Sequence, residues 1–168
     1  MEILINKIIC NGGFSMDIQE KMVEEKMVAY IPAKGPFDQL MDLFGDLMGW
    51  VMSKNLQIIG PPFGIYYNSP MEVPLEELMF EVGVPIMGEA QEEGKVKIKK
   101  IPEQMVLFTM HYGPYNEVSE VYMALADYAE KNGYEIIGAP MEIYMNNPAE
   151  VSESELLTEI QFPVSKKS

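Results

Sequence analysis

Apolar and polar positions alternate along this chain in short runs, and the period changes in a fixed order that occurs twice. The runs "KMVAYIP" (residues 26–32) and "QMVLFTMHY" (residues 104–112) are rich in β-branched and aromatic residues and read as strands. A Gly-Pro pair follows each run, and proline is tolerated in the first turn of a helix. The spacing then lengthens towards 3.6, which predicts helices over roughly residues 37–53 and 115–131. In the second of these, Val118, Val121, Tyr122, Leu125 and Tyr128 fall on one apolar stripe. Gly133 is placed to cap its end. A strand bent at Gly-Ala-Pro follows ("YEIIGAPMEIYM"), then an acidic turn and a last strand, "LLTEIQFPV".

Sliding the sequence on itself by 78 positions explains the recurrence. Gly35-Pro36 falls on Gly113-Pro114, Ile58-Ile59-Gly60 on Ile136-Ile137-Gly138, and Ile65-Tyr66 on Ile143-Tyr144. Asn68, Pro70, Glu72 and Val73 fall on Asn146, Pro148, Glu150 and Val151; Glu77-Leu78, Glu81 and Pro85 fall on Glu155-Leu156, Glu159 and Pro163. Register holds without a gap over residues 27–86, which identifies an internal duplication; two copies at so long a period exclude a solenoid. The expected organisation is a β-α-β-β repeat over about residues 16–86, a polar linker at 87–95, and a second repeat over about 94–164. Residues 1–15 stand outside the repeat as an extension, read as either a short extra strand or a loose tail. The fold class is α+β, with the repeats joined into one antiparallel sheet, both helices on one of its faces and a central ligand groove.

Alternation also assigns faces. In the last strands, Phe80, Val82 and Val84, and likewise Thr158, Ile160 and Phe162, form the more apolar side, expected under the helices. Glu81 and Glu159 then project from the opposite side. The same counting in the preceding strands puts Ile65, Tyr67, Ile143 and Met145 on the helix side and Tyr66 and Tyr144 with the glutamates. A carboxylate beside aromatic walls suits a flat apolar cation, because the ring quadrupole attracts positive charge. The fifteen methionines would add adaptable lining. For one copy of the pattern, the bland alternative, a glutamate and a tyrosine on a solvated sheet face, is the commoner case.

Composition narrows the function classes. The 168 residues are 48% hydrophobic, enough for a packed core in one domain or two small halves. No apolar run approaches the ~20 residues needed to span a bilayer, and "MEILINKIIC" is a poor signal peptide, so a cytoplasmic protein is expected. The single Cys10 excludes an intrachain disulfide, and its thiol is read as packed or partly exposed rather than nucleophilic. A net charge of −14 repels phosphate backbones and draws cations, so direct binding of nucleic acid is not expected. One Cys and one His, with no CxxC or HExxH spacing, give no metal site, and no glycine-rich phosphate loop is present. No cofactor is expected; His111, the only histidine that could hold haem, is read as a strand-end residue.

The pieces "HYGPY", "NGYEIIGAP", "EIYMNNP" and "LLTEIQFPV", in that order, resemble the GyrI-like, or bacterial transcription-activator effector-binding, domain, a duplicated SOUL-like fold. "KGPF", "IIGPPFGIYYNSP" and "ELMFEVGVP" match more loosely in the first copy. The resemblance covers about residues 16–165. It implies a groove whose aromatic walls and buried glutamate hold lipophilic cations in multidrug-responsive transcription regulators. By position it makes Glu159 the candidate glutamate, with Glu81 its pseudo-symmetric partner, and Tyr66, Tyr144, Trp50, Phe63 and Tyr112 the candidate wall. No helix-turn-helix pattern is read in residues 1–15, so the chain looks like the stand-alone members. Some of those are described as gyrase-inhibitory; others are similar to hydrolases of strained cyclopropane rings, for which Glu159, Glu81 and Tyr144 would be the acid–base candidates. The expected partner is a small aromatic or cationic molecule bound by a monomer or weak homodimer, with no membrane. The alternatives are an enzyme and a gyrase-binding module.

Overall fold

The computed structural model describes the backbone of residues 6–10 and 14–167 and the side chains of residues 16–167; the Cys10 thiol and residues 1–5 lie outside what is described. In chain order the elements are β1 (Asn6–Cys10), β2 (Phe14–Val23), β3 (Lys26–Lys34), α1 (Leu40–Ser53), β4 (Phe63–Tyr66), β5 (Met79–Ile86), β6 (Lys97–Ile101), β7 (Gln104–Tyr112), α2 (Ser119–Lys131), β8 (Tyr134–Ile136), β9 (Met141–Tyr144) and β10 (Leu157–Lys166). The fold is α+β, and every strand pair is antiparallel.

The chain divides into two compact units. The first takes the described residues up to Val23 together with those from Gln104 on; the second is Glu24–Glu103. In the first unit the strands run β1-β2-β7-β10-β9, with β8 also on β10. In the second they run β4-β5-β3-β6. The leading strands are exchanged: β2, at the start of the first repeat, pairs with β7 of the second, while β6, at the same offset of 78, pairs with β3 of the first. The repeat bounds of about 16–86 and 94–164 take in most of β2 and all of β6, but the pattern marks neither as a strand.

Both repeats enter their helix the same way. Gly35 (φ 121°) and Gly113 (φ 119°) sit in the left-handed region where a side chain is strained. Their N–H groups donate to Leu78 and Leu156, each at 2.8 Å, which ties the turn to the start of β5 or β10. Pro36 and Pro114 are extended, and a single 3-10 turn leads into α1 or α2.

Each helix covers one face of its own sheet. Leu47 and Val51 of α1 pack on Ala29, Ile31, Phe80, Val82, Val84 and Ile86. Val121, Leu125 and Tyr128 of α2 pack on Ile18, Leu107, Ile160, Phe162 and Val164. The stripe read at helical spacing is therefore the buried face of α2, and the even positions of β5 and β10 are the helix side of their sheets.

Candidate functional site

Glu159 and Glu81 stand opposite the helices, as the alternation predicts. Glu159 is only 5% exposed and lies across from Met110 and Ile143; Glu81 lies across from Pro32 and Ile65. Each already holds a cation. Lys21 Nζ is 2.9 Å from Glu159 Oε2 and 4.1 Å above the centre of the Phe108 ring. Lys99 Nζ is 2.5 Å from Glu81 Oε2 and 4.2 Å above that of Tyr30. The two triads match at the offset of 78 in all three members. Strand exchange brings Lys21 of the leading strand to the second repeat's glutamate and Lys99 to the first repeat's. Gln161 Nε2 also donates to Glu159 Oε2, at 2.5 Å. Tyr67, on the Glu81 side rather than the helix side, has its hydroxyl pKa raised, by burial first and then by Glu81.

The tyrosine assignment needs correction. Tyr66 lies across from Phe80, and Tyr144 across from Thr158, so both face the helix side of their sheets, away from Glu81 and Glu159. Tyr66 packs edge-on to Phe37 and stacks on Phe80. The cause is physical: all four residues of β4 are buried, so the strand carries no apolar–polar contrast from which to read its phase. The other expected wall residues also separate. Phe63 is buried on the Glu81 side, where its ring lies across Gly83. Tyr112 is 69% exposed at the end of β7. Trp50 is on α1, across the sheet from Glu81, where its indole N–H donates to Glu93 at 3.1 Å and it lines a cavity of about 490 Å³ with Lys54 and Glu92.

A third glutamate has the surroundings expected of the first two. Glu142 of β9 is 7% exposed and lies across from Ile160, on the helix side. The Tyr122 hydroxyl of α2 donates to its Oε2, and the Tyr144 hydroxyl lies 3.3 Å from its Oε1. Tyr115 meets Tyr144 edge-on, with ring centres 5.2 Å apart, and Tyr122 meets Phe162 at 5.6 Å. Tyr115, Tyr122 and Tyr144 are half-buried and form an aromatic rim around a buried carboxyl. Burial pushes the Glu142 carboxyl pKa up; the two tyrosine hydroxyls and the nearby His111 pull the other way without cancelling it. The same site raises the Tyr115 hydroxyl, through burial and then Glu142. No salt bridge reaches Glu142 among the described residues. His111 Nε2 donates to the Pro114 carbonyl at 2.9 Å, and the buried Thr158 hydroxyl has no hydrogen-bond partner among the described residues.

The first repeat carries the apolar counterpart of this cluster. At the offset of 78, Tyr115, Tyr122, Glu142, His111 and Thr158 correspond to Phe37, Phe44, Gly64, Ala33 and Phe80. There the Tyr66 ring folds over Gly64, so that a Cβ on Gly64 would meet the hydroxyl at 2.6 Å, and Phe37, Tyr66 and Phe80 pack together. One repeat is filled with rings; the other substitutes a carboxyl, hydroxyls and an imidazole. This divergence was readable in the alignment of the copies, as was the match of Lys21 with Lys99. Identities between the copies do not show the divergence, and Lys21 lies before the 27–86 stretch over which register is held. Among the described residues no group of three or more His, Cys, Asp or Glu could hold a metal, and no helix is long and apolar enough to cross a membrane.

Comparison with known proteins places these features. Residues 16–165 match the model of the GyrI-like small-molecule binding domain. A DNA gyrase inhibitor of Erwinia billingiae (strain Eb661) is 26% identical over 157 residues, covering 90% of this chain and 99% of the relative. The crystal structure of the EcmrR C-terminal domain superposes with a TM-score of 0.82 at 25% identity, covering 90% of this chain and 98% of that one. Against the EcmrR chain in a DNA complex, the match spans 58% of that chain. The structure of SAV2435 bound to tetraphenylphosphonium superposes with a TM-score of 0.60 at 11% identity, covering 89% of this chain and 94% of that one.

Proposed function

Because the chain belongs to the GyrI-like small-molecule binding domain family, we propose that it captures lipophilic aromatic cations, with Glu142 as the counter-charge and Tyr115, Tyr122 and Tyr144 as the wall. The observation that carries this reading is a buried carboxyl that no salt bridge reaches among the described residues, under a rim of half-exposed tyrosines. An isolated carboxylate is costly to bury, so it takes up a proton or awaits a partner. A desolvated organic cation supplies the missing charge, and each ring face adds about 0.5–2 kcal/mol. The tyrosine hydroxyls already occupy acceptor sites on both carboxylate oxygens. Glu142 therefore offers charge more than hydrogen bonding, which suits cations without N–H groups. Glu159, the candidate taken from the resemblance, has Lys21 as a resident cation and is the weaker choice. SAV2435, bound to tetraphenylphosphonium, supplies the probe.

The test is a titration with tetraphenylphosphonium. Wild type binds and Glu142→Gln, which keeps the shape and removes the charge, does not. Unchanged affinity in Glu142→Gln overturns the reading. Hydrolysis of a strained electrophile draws on the same residues, since burial that raises a carboxyl pKa beside a tyrosine hydroxyl favours the protonated form a general acid needs. Catalytic turnover of a cyclopropane substrate, lost in Glu142→Gln, would select it over simple capture.

A further inference from the structure

We infer that the opposite face of the first unit holds a second cation site of different chemistry, for amidinium or guanidinium groups on an apolar body, and that Lys21 is its built-in plug. Three observations converge on it. Glu159 is 5% exposed and its carboxylate sits beside the Phe108 ring face through the ammonium they share. Gln161, 2% exposed, is anchored by its N–H group to Glu159, and this leaves its carbonyl oxygen buried with no partner among the described residues. An orphaned buried acceptor next to a carboxylate is an unmet demand for a donor, and such groups are uncommon in folded proteins.

Lys21 meets only part of that demand. Its ammonium reaches Glu159 and the ring but leaves the Gln161 oxygen bare. An amidinium carries a planar fork of N–H donors. It can give one to the carboxylate and one to the amide oxygen while stacking on Phe108, which a tethered ammonium cannot do. The lysine side chain is 37% exposed, against 7% for that of Glu159, so the plug is the outer layer and can swing into solvent. The second unit lacks this site. At the offset of 78 Gly83 replaces Gln161, and the Phe63 ring occupies the space, 2.5 Å from where a Cβ would stand. The Glu142 cluster is not involved, since Glu142 lies on the other face of the sheet.

Isothermal titration with benzamidine hydrochloride tests this on the whole chain. Lys21→Met removes the intramolecular competitor and should tighten binding about tenfold, the gain expected when a site ceases to be mostly self-occupied. Lys21→Arg keeps the ion pair and the fold, adds the missing donors, and should weaken binding by about the same factor. Glu142→Gln should leave benzamidine affinity unchanged while losing tetraphenylphosphonium. Equal affinity in wild type and Lys21→Arg, loss of benzamidine binding in Glu142→Gln, or no binding in either wild type or Lys21→Met overturns the inference. Should Lys21→Met fail to fold, wild type, Lys21→Arg and Glu142→Gln decide it alone.

Discussion

Glu142 pays for its position with its charge. Its carboxyl pKa is raised from 4.5 by burial. Between the unfolded and folded values the native state keeps a proton that the unfolded chain has lost. Stability from this group is thus fully present below the unfolded value and is lost as pH rises through the folded one. Glu142→Gln should remove that decline, so urea unfolding across about pH 4 to pH 8 will show a flatter profile than wild type. Cation binding has the opposite sign, because a bound cation favours the ionised carboxylate. Affinity for tetraphenylphosphonium should fall as pH is lowered through the Glu142 titration, measured by titration at a series of pH values. At this scale the sequence was partly legible. Strand alternation placed Glu81 and Glu159 correctly because β5 and β10 each have one face of continuous core. It failed for Tyr66 and Tyr144, since β4 is buried throughout and β9 is buried at both Met141 and Glu142. Without that phase, nothing marked Glu142 as an inward residue.

Among the elements, the glycines separate into two kinds with opposite predictions. Gly83 of β5 has the Phe63 ring against it, so Gly83→Ala forces a buried aromatic to move and should cost about 1–3 kcal/mol. Gly45 and Gly49 are exposed positions of α1 with open space where a Cβ would go. Alanine at either should stabilise the protein by about 0.5–1 kcal/mol, since glycine in a helix interior loses more backbone entropy on folding. Thermal unfolding of the three variants checks both signs at once. The helices were legible because a Gly-Pro pair opens each, and the second also shows an apolar stripe at helical spacing and a following Gly133. The exchanged strands were not. β2 and β6 share only Lys21/Lys99 at the common offset, and a pairing partner some eighty residues away leaves no local trace.

For the whole molecule, duplication supplied two copies of one scaffold, and substitution made them unequal. The first repeat holds Phe37, Gly64 and Phe80 where the second holds Tyr115, Glu142 and Thr158. Tetraphenylphosphonium should therefore bind with a stoichiometry of one per chain. The net charge of −14 should strengthen that binding at low ionic strength and weaken it as salt is added. The measurement that bears most directly on the account is the side-chain carboxyl signal of Glu142, followed by carbon NMR as tetraphenylphosphonium is added at a pH where the ligand-free carboxyl holds its proton. The account predicts that the Glu142 signal moves towards the ionised position and saturates with binding, while that of Glu159, paired with Lys21, holds still. A ligand that binds while Glu142 stays unchanged and Glu159 shifts would contradict it.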